Sequence, residues 1–183
     1  MRWAQRKVTD FTAEALQQVY LRLSPTRKVR IDRLRRQEDR ERSLAAECLV
    51  YQLLEKEFGV TDAKLHSSQN GAPYLTGCNL HVSISHSDDW VACAVSDGPV
   101  GIDIERIRPV KPNLFDHVCT KEEMEYLLAG ENRLHRFFEI WTAKEAYYKK
   151  CGTGITNLKQ VNTRALQGKV WVNGDYFIQI IEE

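Results

Sequence analysis

At 183 residues, 43% of them hydrophobic, the chain is long enough to bury a real core as one large domain or two small similar lobes, which excludes a disordered tail. Its 26 Lys and Arg against 25 Asp and Glu leave a formal charge of +1, so bulk attraction to nucleic acid or to a membrane surface is not indicated and any electrostatic function must be local. No apolar run approaches the ~18 residues a membrane helix needs, "MRWAQRKVTD" has no apolar leader core, and the five scattered cysteines read as reduced thiols, so a cytoplasmic protein is expected.

In chain order, a short start fits an edge strand. "DFTAEALQQVYLRL" then carries Phe11, Ala15, Leu16, Val19 and Leu23 at helical spacing, and Ser24-Pro25 punctuates it. A basic block follows, with Arg27, Lys28, Arg30, Arg33, Arg35, Arg36, Arg40 and Arg42 among interspersed acids. A long helix is expected in "EDRERSLAAECLVYQLLEKEFG", where Leu44, Ala45, Cys48, Leu49, Leu53, Leu54 and Phe58 hold one stripe until Gly59 stops it. "NGAPYL" reads as a turn and "LHVSISHSDDWVACAVS" as a hairpin turning at 87–89. "GPVGIDIERIRP" opens with a turn and gives a short strand. "TKEEMEYLLAG" and the segment around Trp141 are helical, "GTG" is a turn, and "KVWVNGDYFIQIIEE" holds two strands joined by Asn-Gly. Helices followed by a hairpin occur twice. The expected class is α+β, with two lobes of similar plan, 1–98 and 99–183, although no residue-level repeat accompanies them.

Four features could carry chemistry. In "GIDIE", strand alternation sends Asp103 and Glu105 to one face, about 6.6 Å apart, where both could meet one hard cation such as magnesium or simply stand in solvent. In "WTAKEAYYKK", Glu145 shares a helix face with Trp141 and Lys149. It is either a surface partner of Lys149 or a buried acid that needs a counter-charge. In "SISHS", Ser85 and His86 point to opposite faces of a strand, which suits anion contact better than a nucleophile and its base. The basic block could be a solvated helix face or could lend a few arginines to phosphate. No aromatic-interleaved RNA motif accompanies it, and nucleic acid is not an expected partner.

Taken in order, "SISHSDDWVACAVS", "VGIDIERIRP" and "WTAKEAYYKKCGTGIT" resemble the 4′-phosphopantetheinyl transferases, in particular the longer single-chain kind with two pseudosymmetric halves, over roughly residues 23–156. The resemblance implies transfer of the phosphopantetheine arm of coenzyme A to a serine of a carrier protein, in a cleft between lobes related by a pseudo-twofold axis. It implies that Asp103, Glu105 and Glu145 hold magnesium, with Glu145, directly or through water, as base for the carrier serine and Lys149 offsetting phosphate charge. It places Arg27, Arg30, Arg42, Ser85, His86 and Lys144 on coenzyme A. The carrier would lie against 113–126 and 152–160, with Lys121 or Lys159 steering an acidic partner, and paired halves imply a monomer.

Three departures from the family pattern stand out. Gly71-Ala72-Pro73 lacks the lysine of "G-K-P", Ser83 replaces an asparagine, and the chain stops at "FIQIIEE", where a bare sheet edge is expected. The competing readings are a homologue that binds coenzyme A or a carrier without catalysis, and a magnesium phosphohydrolase using the same three acids.

Overall fold

The computed structural model describes residues 1–154 and 157–182. Strand β1 (Arg2–Lys7) leads through a short 3-10 turn to α1 (Ala13–Arg22), whose first turn is capped by the Thr12 side chain accepting from the Ala15 amide. Helix α2 (Pro25–Asp32) follows, with proline in the first turn, where a missing N–H costs nothing. The sequence shows only a basic block here, because Ile31 and Arg27 alone turn inward. Helix α3 (Gln37–Phe58) runs to Gly59, whose φ of 66° is the left-handed cap that ends it.

Strands β2 (Lys64–Ser67) and β3 (Pro73–Thr76) form a small hairpin, and β4 (His81–Ser87) and β5 (Trp90–Ser96) a second one. Strand β6 (Val100–Arg106) is followed by α4 (Asn113–Val118), α5 (Lys121–Leu128) and α6 (Arg133–Cys151), then by β7 (Lys169–Asn173) and β8 (Tyr176–Glu182).

All strand pairs are antiparallel, in sheets ordered β1-β5-β4, β2-β3 and β6-β8-β7. The first and third sheets share one plan: the opening strand of each half pairs with its last strand, and the penultimate strand takes the far edge. The N-terminal half adds β2-β3. The final strand, β8, expected to leave a bare edge, lies at the centre of its sheet between β6 and β7, and the outer edge is β7, where Val170 and Val172 are 43% and 55% exposed.

Strand alternation decides what each face meets. Val91, Cys93 and Val95 of β5 pack under α3, while Ala92 and Ala94 turn to Ile102, Ile104, Ile178 and Ile180 of the third sheet. Trp3 and Trp171 close this inter-sheet layer with ring centroids 4.5 Å apart. The other face of the third sheet is covered by α6, so Asp103 and Glu105, out of phase with the isoleucines, face that helix rather than solvent.

Candidate active site

Helix α6 crosses β6 almost backbone to backbone at Gly101, where a Cβ would lie 1.8 Å from the Ala146 carbonyl oxygen. That approach lays one stripe of α6, Trp141, Glu145 and Lys149, along the acidic face of β6. Lys149 Nζ donates to Asp103 Oδ1 at 2.6 Å and to Ser85 Oγ at 2.8 Å, and Ser85 Oγ donates to the same Asp103 oxygen at 2.8 Å. Trp141 Nε1 donates to Glu105 Oε1 at 3.3 Å, and Ser87 Oγ donates to Glu105 Oε2 at 3.1 Å. Along the helix, Glu145 lies between Trp141 and Lys149, the residues that anchor these two acids.

Strand β4 runs beside β6 and presents a serine at every second residue. Ser83 Oγ accepts from the Ile102 amide at 3.0 Å and Ser87 Oγ from the Arg106 amide at 3.1 Å, so hydroxyls satisfy backbone donors at the edge of the third sheet. The departure at Ser83 is therefore a structural contact. Ser85 is buried against Asp103, while His86 turns the opposite way into a cleft.

The acids crowd one another. Burial, then the charge of Asp103, pushes the Glu145 carboxyl up to about 7, with Lys149 opposing and Glu105 adding to the rise. Burial and Asp103 also raise Glu105, against the hydrogen bonds from Ser87 and Trp141. Asp103 is 3% exposed, and its second oxygen, Oδ2, has no partner among the described residues.

No three ligating side chains are already converged on one point among the described residues. Two cations face these three carboxylates: the Lys149 ammonium on Asp103 and the Arg108 guanidinium, 3.7 Å from Glu105 Oε2. The surplus negative charge and the orphaned Oδ2 fit a hard divalent cation, which takes oxygen ligands and completes its shell with water or phosphate.

A cleft of about 800 Å³ opens beside this cluster, with Glu145, Lys149 and His86 at one part of its wall and Arg27 and Arg30 at another. Burial, then Lys149 and Arg42, lowers His86 and favours its neutral form. Arg30 Nη1 donates to the Gly71 carbonyl at 3.2 Å, and Ala72 lines the wall where the resemblance would place a lysine. Asn70 Nδ2 spans to the Gly152 carbonyl at 2.7 Å, tying the β2-β3 turn to the end of α6.

Two expected contacts are corrected. Lys144 is fully buried, with Nζ 2.6 Å from Glu123 Oε2 and donating to the Val118 and Leu158 carbonyls at 2.7 and 2.8 Å. Its ammonium is saturated inside the core and does not reach the cleft. Arg42 lies outside the cleft lining: it pairs with Asp39 and donates to the Asp88 carbonyl at 2.9 Å, fastening α3 to the β4-β5 turn. Lys121 and Lys159 are exposed, while Ile155 and Thr156 of the expected 152–160 carrier segment lie outside the described residues, as does Glu183 at the end of the second expected lobe.

Sequence reasoning missed Trp141, Ser87 and Glu47 as supporting groups. The alternate serines 83, 85 and 87 were a readable signal for a polar strand face. Nothing in sequence links Trp141 to Glu105 or Glu47 to Arg27.

Residues 99–176 match the family model described as 4′-phosphopantetheinyl transferase superfamily, and residues 10–98 match that described as 4′-phosphopantetheinyl transferase, N-terminal. The chain is 36% identical over 121 residues to the 4′-phosphopantetheinyl transferase gsp of Aneurinibacillus migulanus, covering 64% of this chain and 51% of that protein. It is 29% identical over 139 residues to 4′-phosphopantetheinyl transferase Sfp of Bacillus subtilis, covering 73% and 62%. Over 163 residues it is 31% identical to 4′-phosphopantetheinyl transferase HetI of Nostoc sp., covering 83% and 69%. The chain thus spans 51% and 62% of the length of the first two relatives.

Proposed function

Because the chain belongs to the 4′-phosphopantetheinyl transferase superfamily, we propose that it transfers the phosphopantetheine arm of coenzyme A to a serine hydroxyl of an acyl or peptidyl carrier protein. The observation that carries this reading is the Asp103, Glu105, Glu145 and Lys149 cluster, from which Glu145 and Lys149 reach the wall of a cleft that Lys150, Arg27 and Arg30 also line.

In the step, the serine oxygen attacks the phosphorus that carries the pantetheine arm. The new P–O bond forms as the pyrophosphate P–O bond breaks, and adenosine 3′,5′-bisphosphate leaves. Glu145 takes the serine proton, directly or through one water. Without metal, burial and Asp103 push its carboxyl up to about 7, and a bound cation would favour the ionised form that accepts the proton. Lys149 turns from Asp103 toward the phosphates and offsets their charge, and neutral His86 offers a hydrogen bond from the same wall. Asp103, Glu105 and Glu145 would hold magnesium, which would supply neutralisation of the pyrophosphate charge. Trp141 and Ser87 fix the Glu105 carboxylate by a hydrogen bond to each of its oxygens.

The shared strand order of the first and third sheets supports reading 1–98 and 99–183 as two lobes related by a pseudo-twofold axis within one monomer. The exposed ammonium groups of Lys121 and Lys159 are the groups that would meet an acidic carrier. The test is the intact mass of apo carrier proteins incubated with the protein, coenzyme A and magnesium, beside a chelator control. A gain of one phosphopantetheine that disappears with chelator is the expected result. Cleavage of coenzyme A without a carrier would point instead to a phosphohydrolase, and coenzyme A binding with neither reaction to a non-catalytic binder.

A further inference from the structure

The basic part of the cleft wall is built on a buried ion pair. Arg27, 5% exposed on α2, pairs through Nε with Glu47, fully buried on α3, and Arg27 Nη1 donates to Ser67 Oγ at 3.1 Å. Nη2 has no hydrogen-bond partner among the described residues, although Arg27 lines the cleft. Helix α2 is itself fixed to β2: Ser24 Oγ donates to the Leu65 carbonyl at 2.5 Å, and the Ser67 amide donates to Thr26 Oγ1 at 3.1 Å.

Glu47 does not line the cleft, and its Oε2 has no partner among the described residues. A buried carboxylate with one oxygen left over is a poor device for stability alone, since an apolar pair of similar size often does as well. What this pair provides is direction. A guanidinium held at Nε and at one Nη keeps its remaining N–H groups in a fixed plane, ready for a phosphate and free of the rotamer entropy a loose arginine would lose.

We infer that Glu47 is a positioning residue: it sets the Arg27 guanidinium to receive the phosphate on the ribose of the nucleotide, and so sets the preference for a 3′-phosphorylated nucleotide over its 3′-unphosphorylated form. The inference rests on the proposed use of coenzyme A. That molecule brings a pyrophosphate and a further phosphate to a cleft lined by Lys149 and Lys150 of α6 and by Arg27 and Arg30 of α2. The pyrophosphate suits the side with Lys149 and the carboxylates. The remaining phosphate is the one that the family resemblance implies for Arg27 and Arg30.

The test compares binding of adenosine 3′,5′-bisphosphate and adenosine 5′-monophosphate by calorimetry, which needs no transfer, in the native protein, Glu47→Gln and Ser67→Ala. The native protein should prefer the bisphosphate at least about tenfold, as expected of charge-assisted bonds. Glu47→Gln should shrink that preference roughly tenfold while monophosphate binding stays within about twofold, and Ser67→Ala should shrink it by a smaller factor of about three. A merely structural role would weaken both nucleotides together, and that result, or an unchanged preference in both variants, overturns the inference. If Glu47→Gln does not fold, Ser67→Ala decides by the same criterion. If no carrier is modified yet the preference shrinks as stated, the transferase reading falls and the role of Glu47 stands.

Discussion

A Cβ placed on Gly101 would lie 1.8 Å from the carbonyl oxygen of Ala146 and 2.7 Å from the amide nitrogen of Lys150. Both are helix backbone, so no side-chain rotation relieves the clash, and α6 must move off β6 as a unit. Glu145 and Lys149 would move with it, away from Asp103. Gly101→Ala is therefore expected to cost on the order of 1–3 kcal/mol, read as a fall in Tm of roughly 2–4 °C for each kcal/mol. It should also lose most transfer activity. A variant with native Tm and full activity would show that the close crossing does not set the site.

Lys144 and Glu123 form an interior pair. Glu123 also accepts from the Thr120 amide at 2.8 Å and from the Thr163 amide at 2.7 Å. Burial alone would raise this carboxyl, but Lys144 and the amide donors hold it below the usual carboxylate range. Its stabilising contribution is thus complete above the unfolded value and is lost as pH falls through the lower folded value. Lys144→Met should destabilise the fold by about 3–5 kcal/mol at neutral pH and leave KM for coenzyme A near native in the folded fraction. A raised KM with an unchanged melting curve would return Lys144 to the cleft.

Glu145 is the opposite case. Its folded value of about 7 lies above the ordinary 4.5, so its ionised form is disfavoured by the fold. Relative to a neutral side chain, the cost is absent below the unfolded value, grows between the two, and is complete above about 7. Glu145→Gln is expected to raise metal-free Tm at pH 8 but not at pH 4, and to lower transfer by roughly 10²–10⁴-fold. Thermal melts across pH with parallel transfer assays check it; a lower Tm at pH 8 would contradict the crowding of the three acids.

Magnesium bound by these acids would favour their ionised forms, so its binding should release protons near neutral pH and tighten as pH rises from 6 to 8. Calorimetry in buffers of different ionisation enthalpy measures the release directly. Binding that is independent of pH over that interval would remove Glu145 from the ligand set.

The Trp141 indole is held between the aromatic cluster, with its ring 6.1 Å from that of Phe137, and the Glu105 carboxylate. Trp141→Phe retains the apolar body and removes the donor. Magnesium affinity should fall on the order of tenfold, in line with other outer hydrogen bonds to metal ligands, while transfer at saturating magnesium recovers. Unchanged affinity would mean that Ser87 and Arg108 suffice to orient Glu105.

Much of the fold was legible because it is written in local spacing. The stripe on α3, the Gly59 stop, the β4-β5 and β7-β8 turns and the phase of Asp103 and Glu105 against Ile102 and Ile104 all follow from periods of 3.6 and 2. Helix α2 was not legible, since a buried arginine in place of a leucine hides its inward face. The motif residues Asp103, Glu105, Glu145 and Lys149 could be named as one candidate set from sequence, through resemblance.

What sequence by itself determined is therefore which residues face the same way along each element. Which elements meet was decided only by the tertiary structure. Lys144 and Lys149 are five residues apart on one helix, yet one is sealed in the core against Glu123 and the other reaches Asp103 and the cleft. The difference comes from the rotation of α6 as it settles on Gly101, a contact between backbones far apart in the chain. The cost of an unpaired buried charge then fixes a partner for each lysine.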